Sequence, residues 1–275
     1  MACYHPWYLN TPEAARRPLQ KLPCGQCVGC RKARAREWAM RCMHEASLHE
    51  DNCFLTLTYD DEHLPAGGSL DRRAFPLFMK RLRKRLEPQK VRYFHVGEYG
   101  ESSNRPHYHC LLFGFDPPDK TLLSVRQGFP VFTSDWMREA WPYGLHELGS
   151  VTPQSAAYVA RYVRKKITGS WSKAKYGDKE PEYATMSRNP GIGRGWIEKY
   201  GAEVFPSDDV VFGGRLCKPP RYYCEVVAKK DGVLIEEVKF ERFKNRDREE
   251  EQPERLRARE VCDLAQMAMG RNGGL

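Results

Sequence analysis

The chain has 275 residues, 41% of them hydrophobic, enough to build a large folded core and to exclude wholesale disorder. Its 45 Lys and Arg against 36 Asp and Glu give a formal net charge of +9, a balance suited to a polyanionic partner. No apolar run approaches the roughly 20 residues of a membrane span. Residues 1–7 lack the charged and apolar regions of a secretory signal, so a soluble, cytosolic protein is expected.

Residues 1–30 are rich in Pro and Cys and read as an irregular arm. From Arg31 to Ser47, Ala35, Trp38, Ala39, Cys42 and Ala46 recur at helical spacing, with arginines on the other face. Cys53 to Tyr59 is short, β-branched and aromatic, and ends at Asp60-Asp61, the pattern of a strand. A helix is expected from Asp71 to Leu86, with Phe75, Phe78, Leu82 and Leu86 as its apolar stripe and Pro88 beyond its end. Between Arg72 and Arg92 lie nine Lys or Arg and one acid, Glu87.

Val91–Glu98 and His107–Phe115 read as strands joined by a turn into a hairpin, closed by Pro117-Pro118. A short helix over Ser134–Trp141 and a strand over Leu145–Val151 follow. Thr152-Pro153 is a helix start, an N-cap followed by proline at the first position. That helix runs to Ile167 with Ala156, Val159, Ala160, Val163 and Ile167 on one stripe. The order implies an α+β fold, a mainly antiparallel central sheet with helices packed on one side, plus the N-terminal Cys-rich arm. Residues 169–223 are loose and rich in Gly, Pro and aromatics. Residues 231–260 mix both charge signs, as a solvated helix or a tail does. The expected division is 1–50, the arm and first helix; 51–225, the main domain; and 226–275, a charged extension.

Chemistry concentrates at His107-Tyr108-His109. Residues two apart on a strand share a face, so both imidazoles point the same way. Leu111, Phe113 and Phe115 continue that face. Alone, this spacing also suits two ordinary histidines on a half-buried strand. Glu98 changes the weighting, because it ends the preceding strand and the hairpin brings it alongside. Two imidazoles and a carboxylate suit Mg²⁺ or Mn²⁺, and zinc is also chemically possible. Glu101, in the turn, is the competing carboxylate.

On the helix after Pro153, Tyr158 and Tyr162 are four apart and rise from one face. Arg161 and Lys165 follow them by three, placing a cation beside each phenol; alone, such tyrosines are also common on helix surfaces. Ten cysteines without an export signal argue against a disulfide scaffold. Cys24-x-x-Cys27-x-x-Cys30, with Gly25 and Gly29 allowing tight turns, reads as a structural zinc site. Cys3 is the expected fourth ligand, with Cys42 and His5 as competitors. No G-x-x-x-x-G-K-[ST] loop is present, so nothing suggests an NTPase or helicase.

Phe54-Leu55-Thr56-Leu57-Thr58, His107-Tyr108-His109, and Tyr158/Tyr162 with Arg161/Lys165 stand in the order of the three motifs of HUH endonucleases. The two-tyrosine form resembles the replication initiators of Microviridae, especially gokushovirus-like bacteriophages. Leu22–Arg31, Trp38–Cys42 and Asn189–Gly193 extend the resemblance over roughly residues 1–225, with Arg161 where related initiators often carry Lys. The resemblance implies an RRM-like HUH sheet and a metal-dependent endonuclease acting on single-stranded DNA at a replication origin. A tyrosine would attack the phosphodiester, leaving a 5′-phosphotyrosine and a free 3′-hydroxyl that starts rolling-circle synthesis and permits later ligation. A host helicase and polymerase, in the cytoplasm of the bacterial host, are the partners it implies. The alternatives are a relaxase or transposase with the same residues, or a non-catalytic zinc-ribbon nucleic-acid binder.

Overall fold

The structure is a computed structural model that describes residues 3–8, 21–165 and 170–269; the side chains of residues 162–165 and 170–172 are outside the description. The chain divides into two compact units, residues 38–201 and residues 1–37 with 202–275. In chain order the elements are β1 (Trp7–Tyr8), β2 (Lys21–Leu22), α1 (Val28–Ala46), β3 (Asn52–Thr58), α2 (Ala74–Leu86), β4 (Arg92–Tyr99) and β5 (Pro106–Phe113). Then come β6 (Thr121–Arg126), β7 (Phe129–Thr133), α3 (Asp135–Ala140), β8 (His146–Ser150), α4 (Pro153–Lys165), α5 (Ser170–Tyr176) and β9 (Tyr183–Met186). The last are α6 (Arg194–Val204), β10 (Val210–Phe212), β11 (Arg215–Cys217), α7 (Arg221–Ala228), α8 (Gly232–Lys244) and α9 (Pro253–Ala268). Among the described residues no helix is long and apolar enough to cross a membrane.

Residues 38–201 are built on a seven-stranded sheet in the order β6-β7-β8-β3-β5-β4-β9, with every neighbouring pair antiparallel. The α+β expectation with antiparallel pairing is met. In β3, buried Cys53, Leu55 and Leu57 alternate with Phe54, Thr56 and Thr58. The alternation sets the register, since a one-residue slip would turn the apolar set to the wrong face. The ladder runs Thr56 opposite His109 and Thr58 opposite His107 on one side of β3, and Thr56 opposite Glu147 on the other.

The central strands are buried on both faces, which corrects the expectation of helices on one side. Tyr108, Cys110 and Leu112 of β5 pack with Phe75, Phe78, Met79 and Leu82 of α2 and Met137 of α3. Their neighbours Leu111 and Phe113 are also fully buried but point the opposite way, where α4 lies against β4, β5 and β9. Strands apolar on both faces need cover on both, so a single helical layer would have left Phe94, Val96 and Leu111 in water. Phe115 also departs from expectation: it follows Gly114 at φ 82° and packs in the α2-side cluster.

The β6–β7 hairpin and β9 had no counterpart in the sequence reading. Leu122, Leu123, Val125 and Phe129 are exposed, so β6 and β7 lack the half-buried alternation that marks a strand. The α4 start is as expected, with the Thr152 hydroxyl accepting from the Ser155 amide at 3.1 Å. Gly97 of β4 is required by its neighbours, because a Cβ there would lie 3.0 Å from the Tyr183 ring and 3.2 Å from Leu70.

In the other unit the N-terminal arm is tied by a short ladder, Trp7 opposite Leu22 and Tyr8 opposite Lys21. The expected helix over 31–47 begins earlier, at Val28. The charged stretch 231–260 falls in α8 and α9, and both have a side turned inward, with Ile235, Val238 and Leu256 buried. Asp231 caps α8 by accepting from the Leu234 amide at 2.9 Å. Tyr4 and Lys32 both donate to Asp263 of α9, each at 2.7 Å.

Candidate active site

Glu98 on β4 is the cross-strand partner of His107 on β5, and His109 stands two residues further along the same face. The carboxylate Oε1 of Glu98 lies 2.8 Å from His107 Nε2 and 2.9 Å from His109 Nε2. Glu98 is 1% exposed, and its second oxygen, Oε2, is buried with no hydrogen-bond partner among the described residues. One donor atom from each residue falls within 4.8 Å of the others. Glu101 sits exposed in the turn and is not among the converging groups.

Neighbours orient both rings. His107 Nδ1–H donates to the Arg105 carbonyl at 3.1 Å, which leaves Nε2 aimed at the carboxylate. His109 Nδ1 is 3.0 Å from Thr56 Oγ1, and its ring stacks on Phe54 with centroids 5.6 Å apart. Burial opposes a charge on His107, yet the hydrogen bond and field of Glu98 outweigh it and raise its pKa. His109 is lowered, chiefly by burial. Burial would raise Glu98, but the bonds from the two imidazoles win and lower it. Two oriented imidazoles and a carboxylate with one unpartnered oxygen are a donor set that fits a divalent cation.

α4 packs through buried Ala156, Val159 and Ala160 and carries Tyr158 over this site. The Tyr158 hydroxyl is 3.3 Å from His109 Nε2, and its ring stands edge-on to His109 and to Phe54. The Arg161 guanidinium lies 5.2 Å from the Tyr158 ring centre. Tyr162 and Lys165 belong to α4, but their side chains lie outside the described residues.

The sequence reading assigned no role to Thr56, Lys175 or Glu182. Thr56 could have been found, since it lies within the strand motif and its ladder partner is His109. Glu182 carries no sequence signal; it is buried, and accepts from Tyr176 Oη at 2.9 Å, Lys175 Nζ at 3.2 Å and the Tyr99 amide at 3.4 Å. Tyr183 packs in the α2-side cluster, on the face of the sheet away from His107 and His109.

In the other unit the Sγ atoms of Cys3, Cys24, Cys27 and Cys30 all lie within 4.8 Å of one another. Backbone amides point at the sulfurs: Cys24 N–H at Cys3 (3.2 Å), Cys27 N–H at Cys24 (3.3 Å) and Tyr4 N–H at Cys27 (3.3 Å). Burial works against the Cys24 thiolate, but the amides of Cys27 and Gln26 bring its pKa down to about 7. Four clustered sulfurs served by amide donors fit a tetrahedral ion with sulfur at about 2.3 Å. Cys42 is buried on α1 outside this group, and the exposed His5 is bonded to Glu260 at 2.9 Å.

The family model for the replication-associated protein ORF2 matches residues 52–167. Replication-associated protein VP4 of Bdellovibrio phage phiMH2K is 41% identical over 214 residues, 74% of this chain and 66% of that protein. Replication-associated protein ORF4 of Chlamydia phage 1 is 30% identical over 229 residues, 80% of this chain and 56% of that one. Replication-associated protein ORF2 of Spiroplasma virus 4 is 32% identical over 239 residues, 81% of this chain and 73% of that one. This chain belongs to the phage replication-associated protein family. The resemblance read from the motifs is borne out at that level. The chain spans less than two thirds of the length of the Bdellovibrio and Chlamydia phage proteins. No solved structure matches it. In this replication-associated protein the stretch matched by the family model contains Thr56, Glu98, His107, His109 and Tyr158, and the four clustered cysteines precede it.

Proposed function

We propose that the protein is a site-specific endonuclease and ligase for single-stranded DNA that opens rolling-circle replication at a phage origin. The observation that carries the reading is the Tyr158 hydroxyl 3.3 Å from His109, beside a carboxylate with an unpartnered oxygen. Glu98, His107 and His109 would hold Mg²⁺ or Mn²⁺, which as a Lewis acid stabilises charge building on phosphate oxygens. Tyr158, stacked against its imidazole neighbour, has few orientations left to lose on reaching a phosphate there. Its phenolic oxygen forms the new bond to phosphorus as the bond to the 3′-oxygen breaks and the phenolic proton leaves. The strand is left with a 5′-phosphotyrosine and a 3′-hydroxyl. The diester energy is kept, so the reverse attack by a 3′-hydroxyl rejoins DNA without ATP.

Tyr162 is the second nucleophile in this reading, with Arg161 and Lys165 offsetting phosphate charge. The HUH, RRM-like classification of the sheet belongs to the same proposal. So do a structural zinc on Cys3, Cys24, Cys27 and Cys30, a host helicase and polymerase as partners, and the bacterial cytoplasm as the place of action. Incubation with origin single strands and Mn²⁺, followed by denaturing electrophoresis, tests it. A covalent protein–DNA adduct on the 5′ side of a single nick is expected. Binding without adduct would replace it with a non-catalytic zinc-ribbon binder. Adduct formation on transfer-origin or transposon-end DNA, but not on phage origins, would replace it with a relaxase or transposase.

A further inference from the structure

α2 carries Lys80, Arg81, Arg83, Lys84 and Arg85 with no acidic residue in its thirteen positions, and Arg73 precedes it. A solvated helix face accounts for charge alone, but not for how these arginines are held. Arg81 donates to the Ala140 carbonyl at 3.3 Å and to the Tyr143 hydroxyl at 2.7 Å, and Arg83 donates to the Val91 carbonyl at 3.2 Å. Their guanidinium groups lie 5.1 Å from the Tyr143 ring centre and 5.7 Å from that of Tyr93. Arg85 lies 4.0 Å over Trp136 and pairs with Glu139. Neutral acceptors and ring faces immobilise a cation without cancelling its charge. Arg81 and Arg83 are therefore ordered in advance, and ordering a long side chain is a large part of the cost of a phosphate contact. Exposed Arg73, Lys80 and Lys84 add a stripe at helical spacing between them.

The position of the patch narrows its role. α2 covers the sheet face of Tyr108, Cys110 and Leu112, opposite the face of His107 and His109. It cannot hold the phosphate that Tyr158 meets. Its aromatic rings lie under guanidinium groups, so they offer no stacking platform of the kind that single strands use. Cations without a stacking surface read a backbone, not bases.

We propose that this face of α2 grips the phosphate backbone of duplex DNA flanking the nicked strand. The choice of DNA as the polyanion rests on the proposed function. The test uses the full chain and the variant Arg73→Glu, Lys80→Glu, Lys84→Glu, all exposed positions, with a thermal melt confirming that the fold is kept. Anisotropy is measured in magnesium-free buffer with a labelled blunt duplex and with a single strand of the same sequence. At about 0.1 M salt the variant should bind duplex at least tenfold more weakly, with a log K against log salt slope lower by about two. Single-strand binding and nicking of a short origin oligonucleotide should change less than threefold. Unchanged duplex affinity and slope would overturn the proposal, as would a loss confined to the single strand. Failure of the nicking assay in the parent protein would instead count against the endonuclease reading, so the two can fail separately.

Discussion

The Tyr158 hydroxyl and His109 Nε2 stand 3.3 Å apart although the residues belong to different elements, α4 and β5. Their rings meet edge to face at 5.0 Å, and Phe54 touches both. A phenol so placed cannot move far without losing that packing, which makes it sensitive to substitution on either partner.

Tyr158→Phe removes one oxygen and almost no volume, so a loss of activity reports chemistry. Each of Tyr158→Phe and Tyr162→Phe should retain some cleavage of short oligonucleotides and fail to complete nicking, displacement and rejoining. The double variant should bind DNA and form no adduct. An adduct in the double variant, seen by gel shift under denaturing conditions, would move the nucleophile to another tyrosine, with Tyr176 next in line.

His107→Ala or His109→Ala should lower Mn²⁺-dependent cleavage by about 100-fold or more while keeping the melting temperature within a few degrees. Thr56→Val, which leaves His109 Nδ1 without its partner, should cost about tenfold. Calorimetric titration with Mn²⁺ checks the binding side; parental affinity in both histidine variants would remove the site assignment.

The acid–base pair gives a stability signature. Glu98 is lowered below its ordinary 4.5 and His107 raised above its ordinary 6.5. The His107 contribution is therefore full below about pH 6.5 and is lost as pH rises through the raised folded value. The Glu98 contribution is present above about pH 4.5 and is lost as pH falls through the lowered one. In magnesium-free buffer the melting-temperature gap between the parent and Glu98→Gln should be widest between those limits and narrow towards pH 9. Metal affinity should rise over the same alkaline range, because ligation needs a neutral His107. A gap that stays flat from pH 5 to 9 would contradict the pairing.

Protein purified without chelator should carry about one zinc per chain by elemental analysis. Cys24→Ser or Cys27→Ser should lose it, and His107→Ala should not. Zinc-free parent protein would leave the four thiols without the proposed role.

Tyr108, fully buried between the two histidines in sequence, hydrogen-bonds on the opposite face to Tyr59 Oη, the Asp71 carbonyl and the Asp71 amide. Tyr108→Phe strands those partners and should cost about 1–3 kcal/mol in urea unfolding. No loss of stability would show that the network contributes nothing net.

The local periods made much of this protein legible from its residues. Alternation from Cys53 to Leu57 marks β3, the apolar stripe of Phe75, Phe78 and Leu82 marks α2, and period two places His107 and His109 on one face. Thr152-Pro153 announces α4 because capping chemistry is contained in a few neighbouring residues. The remainder depended on partners distant in the chain. β9 is a strand because it pairs with β4, ninety residues before it at His95 and Thr185, and its own four residues carry no pattern. The second helical layer follows from burial on both faces of β4 and β5, which alternation alone does not reveal. Glu182 meets Tyr99, Lys175 and Tyr176 through the fold of three separate segments. Residue identity and spacing thus determined the chemistry available and the local elements, whereas the tertiary structure decided which groups meet, because strand register and helix docking are set by burial across the whole sheet.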